Sequence, residues 1–227
     1  MTTMRAVVIE APGPPEVLSV RSVPLPVPQD GEVLIRVMAF GLNRSELHFR
    51  QGVAESGSFP RIPGIEAVGV VESAPGGTFA VGAQVATLMG GMGREFDGGY
   101  AEFVKVPAGQ VIPFTSHLSW ATLGAVPEML QTAAGSLDVG LQAETGQTVL
   151  IRGGTSSVGM AAAVLAKLRG LTVISTTRNP ERVGSLRSLG VDHVLIDDGQ
   201  IAAAVRDLMP GGVDCAVELV GVNVLKD

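Results

Sequence analysis

Short apolar runs separated by glycine and proline dominate the first half of the chain. Within the runs, apolar and polar residues alternate as they do in half-buried strands, and glycine or proline ends each run. We predict strands at Met4–Glu10, Val17–Val23, Glu32–Phe40, Glu66–Glu72, Gln84–Leu88 and Tyr100–Val106. Short strands at this spacing are typical of a small barrel-like β domain.

The pattern changes from strand to helix near residue 119. Ser119 can cap a helix at Trp120–Val126, and Pro127 suits the first position of a second helix that extends through Leu137. We therefore place a domain boundary here, with residues 1–126 as the β domain and residues 127–227 as a second domain.

Strands and helices alternate in the second domain. Apolar, β-branched runs predict buried strands, and the segments between them are rich in helix-forming residues. The predicted strands are Thr148–Ile151, Leu171–Thr176, His193–Ile196 and Val213–Val220, and the predicted helices are Met160–Leu168, Pro180–Gly190 and Ile201–Met209. This order predicts an α/β fold with a doubly wound parallel sheet of the Rossmann type.

A glycine-rich turn at residues 153–159 joins the first of these strands to its helix. The first amides of a helix lack internal partners and its dipole favours an anion, so this position suits a phosphate. The dinucleotide fingerprint G-x-G-x-x-G reads here as Gly154-x-Ser156-x-x-Gly159. We predict dinucleotide binding, with the Ser156 hydroxyl available to a phosphate oxygen. The alternative is an ordinary strand–turn–helix connection whose small residues serve packing.

The end of the second Rossmann strand indicates which dinucleotide binds. An NAD site usually has an acidic residue about 20 residues beyond the turn, which accepts from the ribose hydroxyls. This chain has Ser175-Thr176-Thr177-Arg178 instead, its first acid is Glu181, and Arg182 follows one helical turn after Arg178. Hydroxyls and guanidinium groups suit an additional phosphate. We therefore predict NADPH rather than NADH.

Composition and charge exclude several classes of protein. Sixteen Lys and Arg against 22 Asp and Glu give a net charge of −6, which argues against a nucleic-acid surface. Cys215 is the single cysteine, so neither an intramolecular disulfide nor a cysteine-cluster metal site can form. Because the N-terminal residues lack a signal-peptide pattern and no apolar run suffices to span a bilayer, we expect a cytoplasmic protein without a membrane partner.

Six segments, taken in order, resemble the medium-chain dehydrogenase/reductase superfamily, and specifically its zinc-independent quinone oxidoreductase branch. They are MRAVVIEAPGPPEVL, GEVLIRVMAFGLNRSELHFRQG, RIPGIEAVGVV, GGYAEFVKVP, ETGQTVLIRGGTSSVGMAAAVLAKLRG and LRSLGVDHV. The resemblance implies an N-terminal GroES-like β barrel-type domain followed by a Rossmann domain. Zinc-dependent members have a cysteine near Asn43 and a histidine at the position of Ile65, so the resemblance implies no metal here.

The resemblance also implies a mechanism and a set of cofactor residues. NADPH lies along the C-terminal edge of the sheet and delivers hydride to a small molecule, which is a quinone, an enone or a carbonyl compound. Asn43 matches an asparagine near the nicotinamide and is the candidate catalytic residue; Thr132 matches a threonine that faces the cofactor. Each is alternatively a helix cap or a satisfied polar group. The remaining matches at the dinucleotide are Gly153, Ser156, Val158, Gly159, Thr177, Arg178 and Arg182.

Departures from the family pattern leave alternatives open. Asp197 stands where many quinone oxidoreductases have a tyrosine beside the adenosine phosphate, and residues 51–54 contain no tyrosine. The later Rossmann strands, which in this family form the homodimer interface, are absent, so we expect a truncated Rossmann domain in a fragment or a naturally short chain. The alternatives are an alcohol dehydrogenase or enoyl reductase on the same scaffold, a protein that binds NADPH without turnover, and a fragment without independent function.

Overall fold

The computed structural model describes residues 2–53, 57–225 and 227, which form two compact units. The first unit ends at Glu128 and the second begins at Met129. The helix Pro127–Gly135, α3 in the numbering below, contains this division. The division lies two residues beyond the boundary placed from the sequence.

Antiparallel strands form most of the first unit. Strands β1 (Thr3–Val8) and β2 (Ser19–Pro24) make a two-stranded sheet. A second sheet, in the order β6-β3-β4-β5-β7, consists of β3 (Glu32–Ala39), β4 (Glu66–Ser73), β5 (Gln84–Leu88), β6 (Phe103–Pro107) and β7 (Val111–Pro113). The β3–β4 pairing shifts register at two places, and such bulges bend a sheet. The curled antiparallel sheet confirms the predicted barrel-type domain.

Two short helices, α1 (Arg44–Arg50) and α2 (Trp120–Leu123), belong to the first unit. The core lies on the inner face of the larger sheet, where Val33, Ile35, Val71, Val85 and Val106 are at most 1% exposed. Each buried side chain of this kind stabilises the fold by about 1.5–3 kcal/mol. This core holds in place the end of β3 and the start of β4, which flank the Asn43 segment.

Parallel strands form the second unit. The order β10-β9-β8-β11 is made by β8 (Thr148–Arg152), β9 (Thr172–Thr177), β10 (His193–Ile196) and β11 (Cys215–Glu218). The connecting helices are α4 (Ser157–Leu168), α5 (Val183–Ser188) and α6 (Ala202–Leu208). In terms of the unit's own strands, the order is 3-2-1-4, which is the order of a dinucleotide-binding sheet. This confirms the predicted Rossmann sheet.

Helix α4 packs closely on the parallel sheet because its buried face consists of alanine. Ala162, Ala163 and Ala166 are fully buried against Val149 and Ile151 of β8. In-register parallel pairing brings the carboxyl ends of all four strands to one edge of the sheet. Ligands of open α/β sheets bind at this edge.

Several predicted element boundaries were wrong by a few residues. The strand predicted from Tyr100 starts at Phe103, because the Tyr100 amide donates to the carbonyl of Pro63 instead of joining a ladder. The predicted helix Pro180–Gly190 is a 3₁₀ turn, Pro180–Arg182, followed by α5. Strand β7 was not predicted, since three residues are too few to show an alternating pattern. No helix in the described part of the chain is long and apolar enough to span a membrane.

Candidate functional site

The glycine-rich turn between β8 and α4 requires glycine at three positions. Gly153 has φ +83°, which side chains rarely tolerate. A Cβ on Gly154 would lie 1.8 Å from Ser175 Oγ, and a Cβ on Gly159 would lie 2.7 Å from the Gly153 carbonyl oxygen. The turn therefore lies directly against β9 and against the first turn of its own helix.

Ser156 is the N-cap of α4. Its Oγ accepts from the Gly159 amide at 3.1 Å and donates to the Gly153 carbonyl at 2.9 Å. Because the hydroxyl proton is used inside the turn, the direct hydrogen bond to phosphate that we expected is not available in this geometry. Ser156 instead gives the turn its shape.

Three backbone amides of the turn point to no acceptor. The N–H groups of Thr155, Ser157 and Val158 donate no hydrogen bond within the described residues, whereas those of Gly153, Gly154, Ser156 and Gly159 all do. They lie at the positive end of a helix of 12 residues. Free amides at that end bind phosphate oxygens. The turn can therefore hold the pyrophosphate of a dinucleotide.

Two oppositely charged side chains lie buried beside this turn. The Arg152 guanidinium donates to both carboxylate oxygens of Asp197, at 2.8 and 3.0 Å, and it also contacts Asp227 at 3.0 Å. These hydrogen bonds from Arg152 lower the pKa of Asp197, and burial opposes them. Sequence reasoning missed the pair, although both residues stand at carboxyl ends of predicted strands.

The end of β9 contains the residues predicted to distinguish NADPH from NADH. Thr177 is 3% exposed, and its Oγ accepts from the Asn179 amide at 3.2 Å. Its hydroxyl therefore shapes the local turn. Arg178 and Arg182 are exposed, and neither forms an ion pair within the part of the chain described. Two guanidinium groups are thus available to an anion.

A second polar cluster surrounds Asn43 in the first unit. Asn43 Nδ2 donates to Glu66 Oε1 at 2.8 Å, and Glu66 Oε2 accepts from the Glu128 amide at 2.8 Å. Glu46 accepts from the Asn43 amide and from the Ile65 amide, each at 2.9 Å. Glu66 is 2% and Glu46 7% exposed. Two buried carboxylates thus fix both the backbone and the side chain of Asn43.

The burial of this cluster shifts the pKa values of the titratable groups near Asn43. Burial raises the pKa of Glu46 and of Glu66, against the hydrogen bonds that both receive. Burial, and after it the charges of these two acids, raises the pKa of Tyr100, whose ring stacks on Phe40 at 4.5 Å. Among the described residues, no three His, Cys, Asp or Glu side chains are placed to hold a metal ion. The cluster thus combines two buried acids with an amide and a stacked aromatic pair.

The structure groups the predicted site residues as follows. Gly153, Ser156, Val158 and Gly159 form one turn, and Thr177, Arg178 and Arg182 lie together in the segment from β9 to α5. Thr132 is half-buried in α3, where its carbonyl accepts from the Ser136 hydroxyl at 2.8 Å. Asn43 belongs to the other unit.

Comparisons with known proteins agree with this description. Residues 29–116 match the alcohol dehydrogenase GroES-like domain family, and residues 157–227 match the zinc-binding dehydrogenase family. The quinone oxidoreductase of Mus musculus is 31% identical over 99% of this chain and 69% of its own length.

Two solved structures have the same fold. An NAD-dependent alcohol dehydrogenase has a TM-score of 0.90 at 32% identity, covering 98% of this chain and 74% of that chain. A mycobacterial protein in complex with NADPH has a TM-score of 0.85 at 29% identity, covering 98% of this chain and 68% of that chain. The GroES-like match falls in the first unit and the dehydrogenase match in the second. The chain therefore belongs to the medium-chain dehydrogenase/reductase superfamily of NAD(P)-dependent oxidoreductases, as a quinone oxidoreductase-like member.

Proposed function

We propose that this chain is a metal-independent reductase that uses NADPH to reduce a quinone, an enone or a small carbonyl compound. The residues at the end of β9 are the observation that supports NADPH over NADH. Arg178 and Arg182 are exposed there without ion pairs among the described residues, and residues 175–179 include no acid. A carboxylate at this position accepts from the ribose hydroxyls of NAD and repels a 2′-phosphate. Two guanidinium groups attract that phosphate.

The glycine-rich turn supports binding of the rest of the dinucleotide. The free amides of Thr155, Ser157 and Val158 suit a pyrophosphate, and they adjoin β9, where the 2′-phosphate site is proposed. A mycobacterial protein of the same fold has been solved with NADPH, which is consistent with the proposal.

In the proposed mechanism, bound NADPH supplies the hydride, and the protein supplies position and polarity. Asn43 presents its amide in a single orientation, because its nitrogen donates to Glu66 Oε1, which accepts in the ionised carboxylate. Both Glu66 oxygens already accept hydrogen bonds from nitrogen, so we assign it no role as a proton donor. In this proposal Thr132 faces the cofactor, and water provides the proton that completes the reduction.

The test is a fluorescence titration of the purified chain with NADPH and with NADH. We expect tighter binding of NADPH, and we expect Arg178→Ala to weaken it about tenfold, since one charge-assisted hydrogen bond to phosphate contributes about 1.5 kcal/mol. NADH binding should not change. Arg187→Ala is the matched control: Arg187 is also an exposed arginine, but it lies in α5, and its replacement should change the affinity for neither nucleotide. Equal affinity for the two nucleotides would contradict the choice of NADPH.

Activity is tested with quinone and enone acceptors at saturating NADPH. Acceptor-dependent oxidation of NADPH would exclude a protein that binds the nucleotide without turnover. The second candidate is an alcohol dehydrogenase, which the structural likeness to an NAD-dependent alcohol dehydrogenase favours. A clear preference for an aliphatic alcohol with NAD would support that candidate over ours.

A further inference from the structure

Thr176, at the carboxyl end of β9, anchors the glycine-rich turn. Its Oγ1 accepts from the Gly153 amide at 3.0 Å, and its carbonyl accepts from the Gly154 amide, also at 3.0 Å. The side chain is fully buried. One residue therefore satisfies both of the first amides of the turn.

Asp197, which follows β10, determines how the Thr176 hydroxyl is oriented. Thr176 Oγ1 lies 3.3 Å from Asp197 Oδ2. An ionised carboxylate can only accept, so the hydroxyl must donate its proton to Asp197. The lone pairs of the oxygen are then left to face the Gly153 amide.

Arg152 in turn holds Asp197 in place. It donates to both oxygens of the carboxylate, and both side chains are 6% exposed. The Gly199 amide adds a further hydrogen bond to Asp197 Oδ1, at 2.9 Å. A charged pair with two parallel hydrogen bonds is among the most directional contacts in proteins. The contacts run from Arg152 through Asp197 and Thr176 to Gly153.

We propose that Arg152, Asp197 and Thr176 are positioning residues that set the glycine-rich turn for the pyrophosphate of a dinucleotide. None of them is assigned a contact with the cofactor. The inference rests on the proposed function, in that it requires a dinucleotide at this turn. The inference goes beyond the proposed function because it distinguishes two sets of residues. Arg152, Asp197 and Thr176 support the binding of any dinucleotide, whereas Arg178 and Arg182 bind the 2′-phosphate.

A ligand without a pyrophosphate separates the two sets. Adenosine 2′-monophosphate offers a 2′-phosphate and no pyrophosphate, so its affinity depends on the arginines and not on the turn. Disruption of the turn should therefore weaken the binding of NADPH and of NADH by the same factor and leave the affinity for adenosine 2′-monophosphate unchanged. A general loss of folded structure would weaken all three.

The test uses Thr176→Val, which keeps the shape of the side chain and removes the hydroxyl. We expect both dinucleotides to bind about fivefold to tenfold more weakly, as for the loss of the one neutral hydrogen bond by which the hydroxyl holds the Gly153 amide. Thr176→Ser retains the hydroxyl and should restore most of the affinity. Thr172→Val, a half-buried threonine at the start of the same strand, is the matched control and should bind like the unmodified chain.

The two proposals fail in different ways. If Thr176→Val binds both dinucleotides as tightly as the unmodified chain does, the inference is wrong and the proposed function stands. If the unmodified chain binds neither dinucleotide, both are wrong. Should Thr176→Val not fold, Asp197→Asn carries the same test, because it removes the accept-only partner of the Thr176 hydroxyl. Unchanged binding of both dinucleotides by Asp197→Asn would then overturn the inference.

Discussion

The Arg152 guanidinium and the Asp197 carboxylate meet through two hydrogen bonds, of 2.8 and 3.0 Å, at the carboxyl edge of the parallel sheet. Arg152 ends β8, and Asp197 follows β10, with β9 between the two strands. The pair therefore spans the strand whose end is proposed to select the cofactor.

Loss of this pair should destabilise the fold. Asp197→Ala leaves a buried guanidinium with the Val224 carbonyl and the Asp227 carboxylate, each at 3.0 Å, as its nearest described partners. We expect the free energy of unfolding to fall by about 2 kcal/mol, which is below the range of about 3–5 kcal/mol for a broken buried pair because Asp227 partly compensates. Urea denaturation measures the change.

Asp198→Ala is the control for this prediction. Asp198 is exposed, and among the residues that the structure describes it accepts one hydrogen bond, from the Gln200 amide at 3.0 Å. Its replacement should cost about 0.5 kcal/mol or less. Equal losses in the two variants would mean that the Arg152 pair contributes nothing beyond a surface contact.

The same pair makes stability depend on pH at acid values. Arg152 lowers the pKa of Asp197 below its ordinary value of 3.8, so in this range the unfolded chain binds more protons than the folded chain. Stability is therefore present above pH 3.8 and is lost as the pH falls through the lowered pKa of the folded state. In Asp197→Asn, the unfolding free energy should fall less steeply between about pH 5 and pH 2. If the unfolding free energy of Asp197→Asn and of the unmodified chain fell equally steeply with pH, Asp197 would not be the source of this pH dependence.

Gly159 is required for the contact between helix and turn. A methyl group there would lie 2.7 Å from the Gly153 carbonyl oxygen and 2.8 Å from Gly154 Cα, both of which are backbone atoms. We expect Gly159→Ala to lower the free energy of unfolding by about 2 kcal/mol, since backbone has to move, and to abolish detectable dinucleotide binding. Gly184→Ala is the control, because nothing lies within 4 Å of a Cβ at that position in α5. It should leave binding unchanged and raise stability by about 0.5 kcal/mol.

The fold and the turn could be predicted because their signals are local. Apolar runs set β8 and β9, glycine and serine spacing sets the turn between Gly153 and Gly159, and the alternation of strand and helix patterns gives the order of elements. The absence of an acid after β9 is also a local signal. Each of these depends on residues that are neighbours in the sequence.

Contacts between distant residues could not be predicted in the same way. Arg152 and Asp197 are 45 positions apart, and Asn43 and Glu66 are 23 apart. Asp197 was interpreted from the sequence as the loss of a tyrosine at the adenosine phosphate, whereas the structure gives its charge a buried partner. The strand order contains that information, because it brings the ends of β8 and β10 to either side of β9.

The contact between Asn43 and Glu66 leads to the opposite pH dependence from that of Asp197: a variant at Asn43 should lose stability as the pH rises. Asn43→Asp would place two carboxylates at the 2.8 Å distance that now separates Asn43 Nδ2 from Glu66 Oε1. Like charges this close share one proton, which raises one of the two pKa values above that of Glu66 alone, already raised by burial. The folded variant then binds more protons than the unfolded one, so its stability falls as the pH rises.

We therefore expect Asn43→Asp to be close to the unmodified chain in stability at pH 5 and to be less stable by about 2 kcal/mol at pH 8. Asn43→Ala removes the hydrogen bond that lowers the Glu66 pKa without adding a charge, so its deficit relative to the unmodified chain should be about 1 kcal/mol at pH 8, half that of Asn43→Asp, and smaller at pH 5. Urea denaturation of the three proteins at pH 5 and pH 8 measures these differences. A pH-independent deficit in Asn43→Asp would mean that Glu66 does not face this side chain, and that the orientation assigned to the Asn43 amide is wrong.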